Sequence, residues 1–429
     1  MHVDFWFDFS CPYAYLASVE IEAVCRRAGA TLQLSPMLLG GVFRGIGAGD
    51  GPMATLSPAK AAYNLRDMAR WAERRGVPLV MPPAHPMRTV RALRTFLALP
   101  EARWPAAMHA LYAAYWRGGG DITDDRVIDA ALAGAGITAD ERAAARNAAD
   151  SDAIKDDLRA RTERAVALGI FGAPAMVVTR ADRAPLLLWG QDRLHWLEAV
   201  LAGWDPDGGA RPVLPEPAAR PRLAHPPSLS CWFDYASPFA YLASTQLPRL
   251  AADAGAALTY RPMLLGGLFK ALGGPDVPLF AMPEVKRRYV SAEMMRWARW
   301  WGVPLAWPSR FPLRTVLPLR LTLLAGAQTP ALVERLFRAA WVEDRDVADP
   351  VLLRALAADA GVDAALVEQA NAPAAKQALH DATAAAASAG VFGAPTMIVD
   401  APDGSMLFWG QDRLELVADA LHGWRPRAG

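Results

Sequence analysis

The 429-residue chain repeats most of its sequence once, and this duplication constrains the fold more than any other feature. DFWFDFSCPYAYLAS at Asp4–Ser18 returns as SCWFDYASPFAYLAS at Ser230–Ser244, and LLWGQDRL at Leu187–Leu194 returns as LFWGQDRL at Leu407–Leu414. Equivalent residues are 226 positions apart early in the repeat and 220 apart late in it. Solenoid repeats are only about 20–50 residues long, so a unit of this length is a whole domain. The sequence therefore predicts two domains of one fold.

The predicted domains are residues 1–204 (copy one) and 228–429 (copy two). Between them, residues 205–227 read DPDGGARPVLPEPAARPRLAHPP, which is dense in proline and has no apolar period. Such a composition is typical of a semi-rigid extended linker.

Each copy has the same predicted order of elements. A short apolar run, Val3–Phe7 or Ser230–Phe233, indicates a buried strand. A proline at the first helical position, Pro12 or Pro238, then opens a helix that we expect to run to about Arg27 or Asp253. A second strand, a long block with helical patterning, two more strands and a last helix follow. The fold class is therefore α/β, with two thioredoxin-like domains that each carry a helical insertion.

Composition excludes several functions. Lys plus Arg number 45 and Asp plus Glu 44, so the net charge of +1 gives no electrostatic case for nucleic acid or an anionic membrane. No apolar run reaches the roughly 18 residues of a spanning helix, and the first residues lack the basic start of a signal peptide. The three cysteines form no CxxC pair and the histidines show no metal spacing, so we expect a cytoplasmic protein without a metal.

The strand-to-helix turn is the first candidate site. Cys11 and Ser237 precede the helix-opening prolines, where free backbone N–H groups stabilise an anion. A thiolate is favoured there, which predicts a depressed pKa for Cys11, and a hydroxyl there can donate to a thiolate. The alternative is a plain helix cap, because serine is a common cap without any other function.

The second candidate is the GAP motif before a late strand, with Ala173-Pro174 in copy one and Ala394-Pro395 in copy two. Proline at a strand start is most often a turn or edge device. It can instead form a cis bond where backbone approaches a ligand, and the two alanines would then bind a peptide-like ligand through main-chain hydrogen bonds.

The GQDRL motif at the last helix supplies Asp192 and Arg193 in copy one, and Asp412 and Arg413 in copy two. An Asp–Arg pair can grip the charged groups of an α-amino acid. An aspartate in the first turn of a helix is also favoured by the helix dipole whatever the function, so both interpretations stay open.

A helix in the insertion repeats four polar residues three or four positions apart, which places them on one face. A solvated face is the usual explanation of such a pattern. The later motifs PMRT and PLRT add Arg88 and Arg314 as candidates for binding an anion. The repeated helix residues are Lys60, Tyr63, Asp67 and Arg70, matched by Lys286, Tyr289, Glu293 and Arg296.

Taken together, DYASPFAYLA, PMLLGGLFKALG, KRRYVSAEMMRWARWWGVPL, FPLRT, GVFGAPTMIV and FWGQDRLELV resemble the 2-hydroxychromene-2-carboxylate isomerase family. This family is related to kappa-class glutathione transferases and, more distantly, to thioredoxin-like disulfide oxidoreductases. The resemblance covers nearly all of both copies. Two departures stand out: Cys11 replaces the family's serine, and Asp50 or Asp276 lies near the place where the family often has asparagine.

The resemblance implies glutathione as the cofactor and assigns roles by position. Ser237 would hydrogen-bond the glutathione sulfur, as Cys11 would face it in copy one. The alanine and proline of each GAP motif would bind its cysteinyl backbone, and the Asp–Arg pair of each GQDRL motif its γ-glutamyl end. Lys286 or Lys60 would lie near the glycyl carboxylate or the substrate acid, and Lys286 with Arg314 would orient that acid in copy two.

The resulting hypothesis is a glutathione-dependent cis–trans isomerase of an aromatic-degradation intermediate, in which the two copies pack as an intrachain pseudo-dimer. The alternatives are a glutathione transferase, a thiol–disulfide oxidoreductase that uses Cys11, and a non-catalytic binder in which copy one is only a scaffold. The residue three positions after Cys11 is Ala14, whereas a disulfide oxidoreductase needs a second cysteine there.

Overall fold

The structure is a computed structural model, and it describes residues 1–49, 51, 56–208, 210–212, 220–274 and 277–426. Asp50 and Asp276 lie outside the described residues.

The described part of each copy contains one four-stranded sheet, and both sheets have the same topology. The first has the order β2-β1-β3-β4 and the second the order β6-β5-β7-β8. The first strand of each copy, β1 or β5, lies inside its sheet and pairs parallel with one neighbour and antiparallel with the other. The strands are β1 (His2–Phe7), β2 (Thr31–Pro36), β3 (Ala175–Arg180), β4 (Arg183–Trp189), β5 (Ser228–Phe233), β6 (Ala257–Pro262), β7 (Thr396–Ala401) and β8 (Gly404–Trp409).

The helices of copy one lie mostly between β2 and β3, which confirms the predicted α/β class with a helical insertion. They are α1 (Pro12–Arg27), α2 (Leu39–Gly45), α3 (Pro58–Arg74), α4 (Val90–Leu97), α5 (Trp104–Tyr112), α6 (Asp125–Gly134), α7 (Ala139–Ala148), α8 (Asp152–Ala167) and α9 (Leu194–Leu201). A π-helical stretch (Ala113–Arg117) continues α5, and short 3-10 helices occupy Glu101–Arg103 and Gln191–Arg193.

Copy two follows the same plan. Its helices are α10 (Pro238–Ser244), α11 (Leu247–Ala254), α12 (Leu265–Ala271), α13 (Glu284–Trp301), α14 (Val316–Leu324), α15 (Thr329–Trp341), α16 (Pro350–Asp359), α17 (Leu366–Gln369), α18 (Pro373–Ser388) and α19 (Leu414–Leu421), with 3-10 helices at Gly326–Gln328 and Gln411–Arg413. No helix in these described ranges is long and apolar enough to cross a membrane.

The central strand is buried from both sides, which explains why its sequence is a continuous apolar run. In β1 the side chains of Val3, Phe5 and Phe7 are fully buried, and Trp6 on the opposite face is 1% exposed. A strand whose two faces are both covered reads as an unbroken apolar stretch. Both faces of the sheet are therefore covered at β1. The turn that follows β1 is described below as part of the candidate site.

The first helix of copy two differs from the prediction. The structure ends α10 at Ser244 and starts α11 at Leu247, whereas the predicted helix ran to about Asp253. Pro248 is the cause, because a proline inside a helix removes one backbone hydrogen bond and clashes with the preceding turn. In copy one the equivalent residue is Glu22, and α1 is continuous to Arg27 as predicted.

Candidate functional site

The turn after the central strand and the GAP loop come together in both copies. Cys11 and Ser237 are the residues immediately before the first turn of α1 and α10, in extended backbone conformation. The Cys11 thiol donates to the Ala173 carbonyl at 3.1 Å, and the Ser237 hydroxyl donates to the Ala394 carbonyl at 3.1 Å. The Ser237 hydroxyl also accepts from the N–H of Ala240 at 3.2 Å. Ser237 is thus both the cap of its helix and a contact of the GAP loop.

The peptide bonds before Pro174 and Pro395 are cis. Each GAP loop is covered by a tryptophan from the last strand of its own sheet. A Cβ atom on Gly393 would lie 2.6 Å from the indole nitrogen of Trp409, so only glycine permits this approach. The loop backbone and the indole ring consequently form one wall beside the helix terminus.

The predicted depressed pKa of Cys11 is wrong. Burial raises the pKa of the Cys11 thiol to about 12, although the backbone N–H groups of Tyr13 and Ala14 act in the opposite direction. Burial likewise raises the pKa of Cys25 to about 11 and of Cys231 to about 12. Desolvation of a thiolate outweighs the field of the helix terminus here, because Cys11 is only 7% exposed. Cys11 is therefore a protonated thiol at neutral pH.

A buried aspartate connects the segments of the site in each copy, and it is not among the candidate residues that the sequence motifs indicated. Asp234, 1% exposed, accepts hydrogen bonds from the N–H of Ala236 at 3.0 Å and of Leu265 at 2.8 Å, and from the hydroxyl of Thr315. Burial raises its pKa above the ordinary value in spite of these bonds. Asp8 has the same role in copy one and accepts from Thr89 at 2.6 Å. The sequence did contain a signal for this residue, because the aspartate is present at the same position of both repeated turns.

The two candidate arginines follow from this anchoring. Arg88 and Arg314 directly precede Thr89 and Thr315, whose hydroxyls bind the buried aspartates. Both arginine side chains are exposed. Each is therefore held at the rim of the turn that carries Cys11 or Ser237, where it remains accessible to an anion.

The helix face that carries the repeated polar residues is not solvated, because it packs against the other copy. Tyr63 on α3 accepts from the N–H of Trp409 at 3.0 Å, and Arg70 donates to the carbonyl of Leu407 at 2.6 Å. The matching contacts join Tyr289 on α13 to Trp189 at 2.8 Å and Arg296 to the carbonyl of Leu187 at 3.0 Å. Each copy thus places one helix on the last strand of its partner.

Because of this packing, each of the two lysines contacts the opposite copy rather than its own. The Lys60 ammonium lies over the Trp409 ring, 4.7 Å from its centroid, and Lys286 lies over Trp189 at 5.4 Å. Lys286 was expected to serve the copy-two site with Ser237, but its ring contact is in copy one. Burial lowers the pKa of both ammonium groups, and their mutual repulsion lowers that of Lys60 further. Each lysine therefore borders the GAP-loop wall of the opposite copy.

The four GQDRL residues meet at the centre of this interface. Arg413 binds Asp67 through two hydrogen bonds of 2.9 and 3.0 Å, and it binds Asp192 at 2.6 Å. In the reciprocal arrangement, Arg193 binds Glu293 at 2.8 Å and Asp412 at 2.8 Å.

The cluster contains four carboxyl groups but only two guanidinium groups, so its acidic groups outnumber its basic ones. Burial raises the pKa of Asp67 and of Glu293, whereas the pKa of Asp192 is lowered to about 2. Burial opposes that lowering, but the two adjacent arginines outweigh it. The cluster therefore holds more carboxylates than arginines, and burial opposes the ionisation of two of them.

Comparisons with known proteins agree with this architecture. The family model for the DSBA-like thioredoxin domain matches residues 2–202 and again residues 228–422. The chain belongs to the DSBA-like thioredoxin domain family. It contains two DSBA-like domains in tandem, which confirms the predicted duplication of a thioredoxin-like fold.

Curated relatives of these DSBA-like domains are enzymes. One is the 2-hydroxychromene-2-carboxylate isomerase of Sphingobium xenophagum, 34% identical over 45% of this chain and 97% of that protein. Another is glutathione S-transferase kappa 1 of Rattus norvegicus, 27% identical over 46% of this chain and 91% of that protein. A solved structure of 2-hydroxychromene-2-carboxylate isomerase is 28% identical, covers 47% of this chain and 95% of its own, and has a TM-score of 0.42. The two curated relatives show that the chain is related to proteins named as isomerases and kappa-class transferases, as the sequence motifs indicate.

Proposed function

We propose that this chain is a glutathione-dependent cis–trans isomerase of the 2-hydroxychromene-2-carboxylate type, acting in the degradation of aromatic compounds, with copy two as the main active site. The observation that carries the proposal is the position of the Ser237 hydroxyl. It lies at the N-terminus of α10 and 3.1 Å from the carbonyl of Ala394. A thiolate held beside this hydroxyl would gain a hydrogen bond and the positive end of a helix.

Residues near Ser237 would bind the backbone of glutathione and its three charged groups, which are two carboxylates and one ammonium. The backbone of Ala394 and Pro395 would bind the cysteinyl unit as a neighbouring strand does. Arg413 would attract the γ-glutamyl carboxylate, and the surplus carboxylates near Asp412 suit its ammonium group. Lys60, which reaches Trp409 from copy one, would pair with the glycyl carboxylate. The copy-two site would then be completed by a residue of copy one.

When bound, glutathione would supply a thiolate that adds to a conjugated carbon and leaves again after rotation about the former double bond. The chain's own residues hold and orient the reactants. The Ser237 hydroxyl would turn from the Ala394 carbonyl to the sulfur, stabilising its anionic form. Arg314, exposed at the rim, would pair with the carboxylate of the substrate.

Copy one has the same framework, with Ala173, Pro174, the Asp192–Arg193 pair and Lys286, but it has Cys11 in place of serine. The raised pKa of Cys11 disfavours the alternative in which this thiol attacks a disulfide, since the thiolate is the nucleophile. We therefore assign the minor role to copy one.

We also propose that the fusion reproduces a dimer within one chain. The support is the reciprocity of the contacts, in which α3 packs on β8 and α13 packs on β4 through equivalent residues. A cytoplasmic location is part of the same proposal. The three cysteines are free and buried, which suits a reducing compartment.

The proposal is tested by following the absorbance of 2-hydroxychromene-2-carboxylate with and without glutathione. Ser237→Ala should lower kcat by roughly 10²-fold, the usual effect of removing one donor to a reacting anion. Cys11→Ala is the matched control and should change kcat little. Loss of turnover in Cys11→Ala with full activity in Ser237→Ala would reverse the assignment of the working copy. No glutathione binding to the wild-type chain by calorimetry would end the proposal.

A further inference from the structure

Copy two exposes a group of aromatic side chains beside the Ser237 turn, and none of the roles assigned above uses it. The group, here called the aromatic patch, consists of Phe280, Trp307 and Phe311. Phe280 is 56% exposed and Trp307 is 43% exposed. Large aromatic side chains held next to one another at the surface mark a binding site more often than a single exposed apolar residue does.

The aromatic patch is anchored to the turn that carries Ser237. Phe311 is its centre, with its ring 4.7 Å from that of Trp307 and 6.1 Å, edge to face, from that of Phe280. Trp307 also contacts Trp341 at 5.9 Å between ring centroids. The indole N–H of the fully buried Trp341 donates to the carbonyl of Tyr235 at 2.8 Å. Ring contacts and one hydrogen bond therefore connect the surface to Tyr235, two residues before Ser237.

Arg314 lies on the same loop as Trp307 and Phe311, between α13 and α14. Arg314 follows Phe311 by three residues and is exposed. The next residue, Thr315, donates to the buried Asp234, which also fixes the Ser237 turn through the N–H of Ala236. The loop that carries Trp307, Phe311 and Arg314 is thus anchored to the Ser237 turn, and it offers aromatic rings and a cation to a ligand that approaches this turn.

Two of the three patch positions have different residues in the described part of copy one. Met81 takes the position of Trp307 and His85 that of Phe311, both 226 residues earlier. His85 is engaged by the hydroxyl of Tyr115, 2.9 Å from its Nδ1 atom. An unbranched thioether and a hydrogen-bonded imidazole provide less planar apolar surface than tryptophan and phenylalanine.

We propose that the aromatic patch is the acceptor-binding wall of copy two, where it stacks on the ring of a planar aromatic acid whose carboxylate pairs with Arg314. The patch gives copy two, and not copy one, its selectivity for planar acids. This inference rests on the proposed function, because the acid would meet glutathione held beside Ser237.

The test measures binding of salicylate, a planar aromatic acid, and of cyclohexanecarboxylate, which has the same charge without a planar ring. Dissociation constants come from saturation-transfer NMR titrations on the full chain. Trp307→Ala should weaken salicylate binding about 2- to 10-fold, the range expected for losing an aromatic pair. Met81→Ala, the matched change in copy one, should leave it unchanged. The wild-type chain should prefer salicylate, and Trp307→Ala should lose that preference.

Phe280→Ala is a second variant at the most exposed ring and should act in the same direction as Trp307→Ala. Unchanged salicylate binding in both variants, or an equal loss in Met81→Ala, would overturn the inference. Glutathione calorimetry on the same variants separates the two proposals. Normal glutathione binding with no salicylate preference ends this inference alone, whereas absent glutathione binding ends the proposed function and leaves the patch result standing.

Discussion

The carboxylate-rich cluster between the copies predicts that Arg413→Gln strongly destabilises the protein. Arg413 holds Asp67 through two hydrogen bonds and Asp192 through a third, and Asp67 is only 1% exposed. Without Arg413, Asp67 retains the 3.4 Å contact with the hydroxyl of Tyr63 but loses both hydrogen bonds of its ion pair. Breaking a buried ion pair from one side typically costs about 3–5 kcal/mol, because the remaining carboxylate must either stay charged without its partner or take up a proton.

The destabilisation should depend on pH with a definite sign. The pKa of Asp67 is already above its ordinary value in the wild-type protein, because burial outweighs the arginine. Removing the guanidinium raises that pKa further, so the native state of the variant holds a proton that the unfolded state releases. Stability of the variant then falls as pH rises above the ordinary aspartate pKa. The difference from wild type should therefore grow between about pH 4 and pH 7.

Urea unfolding at several pH values measures this effect, with Arg249→Gln as the control. Arg249 and Asp253 form a 4.0 Å pair in which both side chains are more than half exposed, so its loss should cost less than about 0.5 kcal/mol. Arg193→Gln should behave like Arg413→Gln, because Arg193 has the reciprocal position. An effect of Arg413→Gln as small as that of the control would refute the conclusion that this cluster is desolvated by the packing of the two copies.

Two more predictions follow from shifted pKa values. Iodoacetamide should label Cys11 about 10³-fold more slowly at neutral pH than a thiol of pKa 9.0, because the pKa of Cys11 is about 12. Mass-spectrometric mapping of the labelled cysteines measures this rate. Fast labelling of Cys11 at pH 7 would contradict the prediction. Burial against tryptophans lowers the pKa of His195 to about 4. The neutral imidazole therefore stabilises the fold above pH 6.5. Up to about 3 kcal/mol of the free energy of unfolding is lost as the pH falls toward 4. His195→Phe should lose less stability than wild type between pH 7 and pH 4.5 in urea unfolding, and an equal loss would count against this shift.

Local sequence was sufficient for much of the fold because its signals act over a few residues. The unbroken apolar run of the central strand and the proline after Cys11 determine where β1 ends and α1 begins. Pro248 in the second copy was also visible, and its effect on the helix could have been read from the missing N–H group alone. The duplication itself supplied the domain plan.

Sequence by itself therefore determined two copies of one α/β fold and the motifs from which a site is built. Tertiary structure decided which copy those motifs serve: Lys60 contacts Trp409 and Asp67 contacts Arg413, pairs separated by more than 340 residues. It also decided the charge state of Cys11, whose helix-terminal position favours a thiolate while its burial forbids one. The physical reason is common to both results. Both the partners of a side chain and the desolvation of a charged group depend on everything that packs around them. A short pattern of residues does not contain this information.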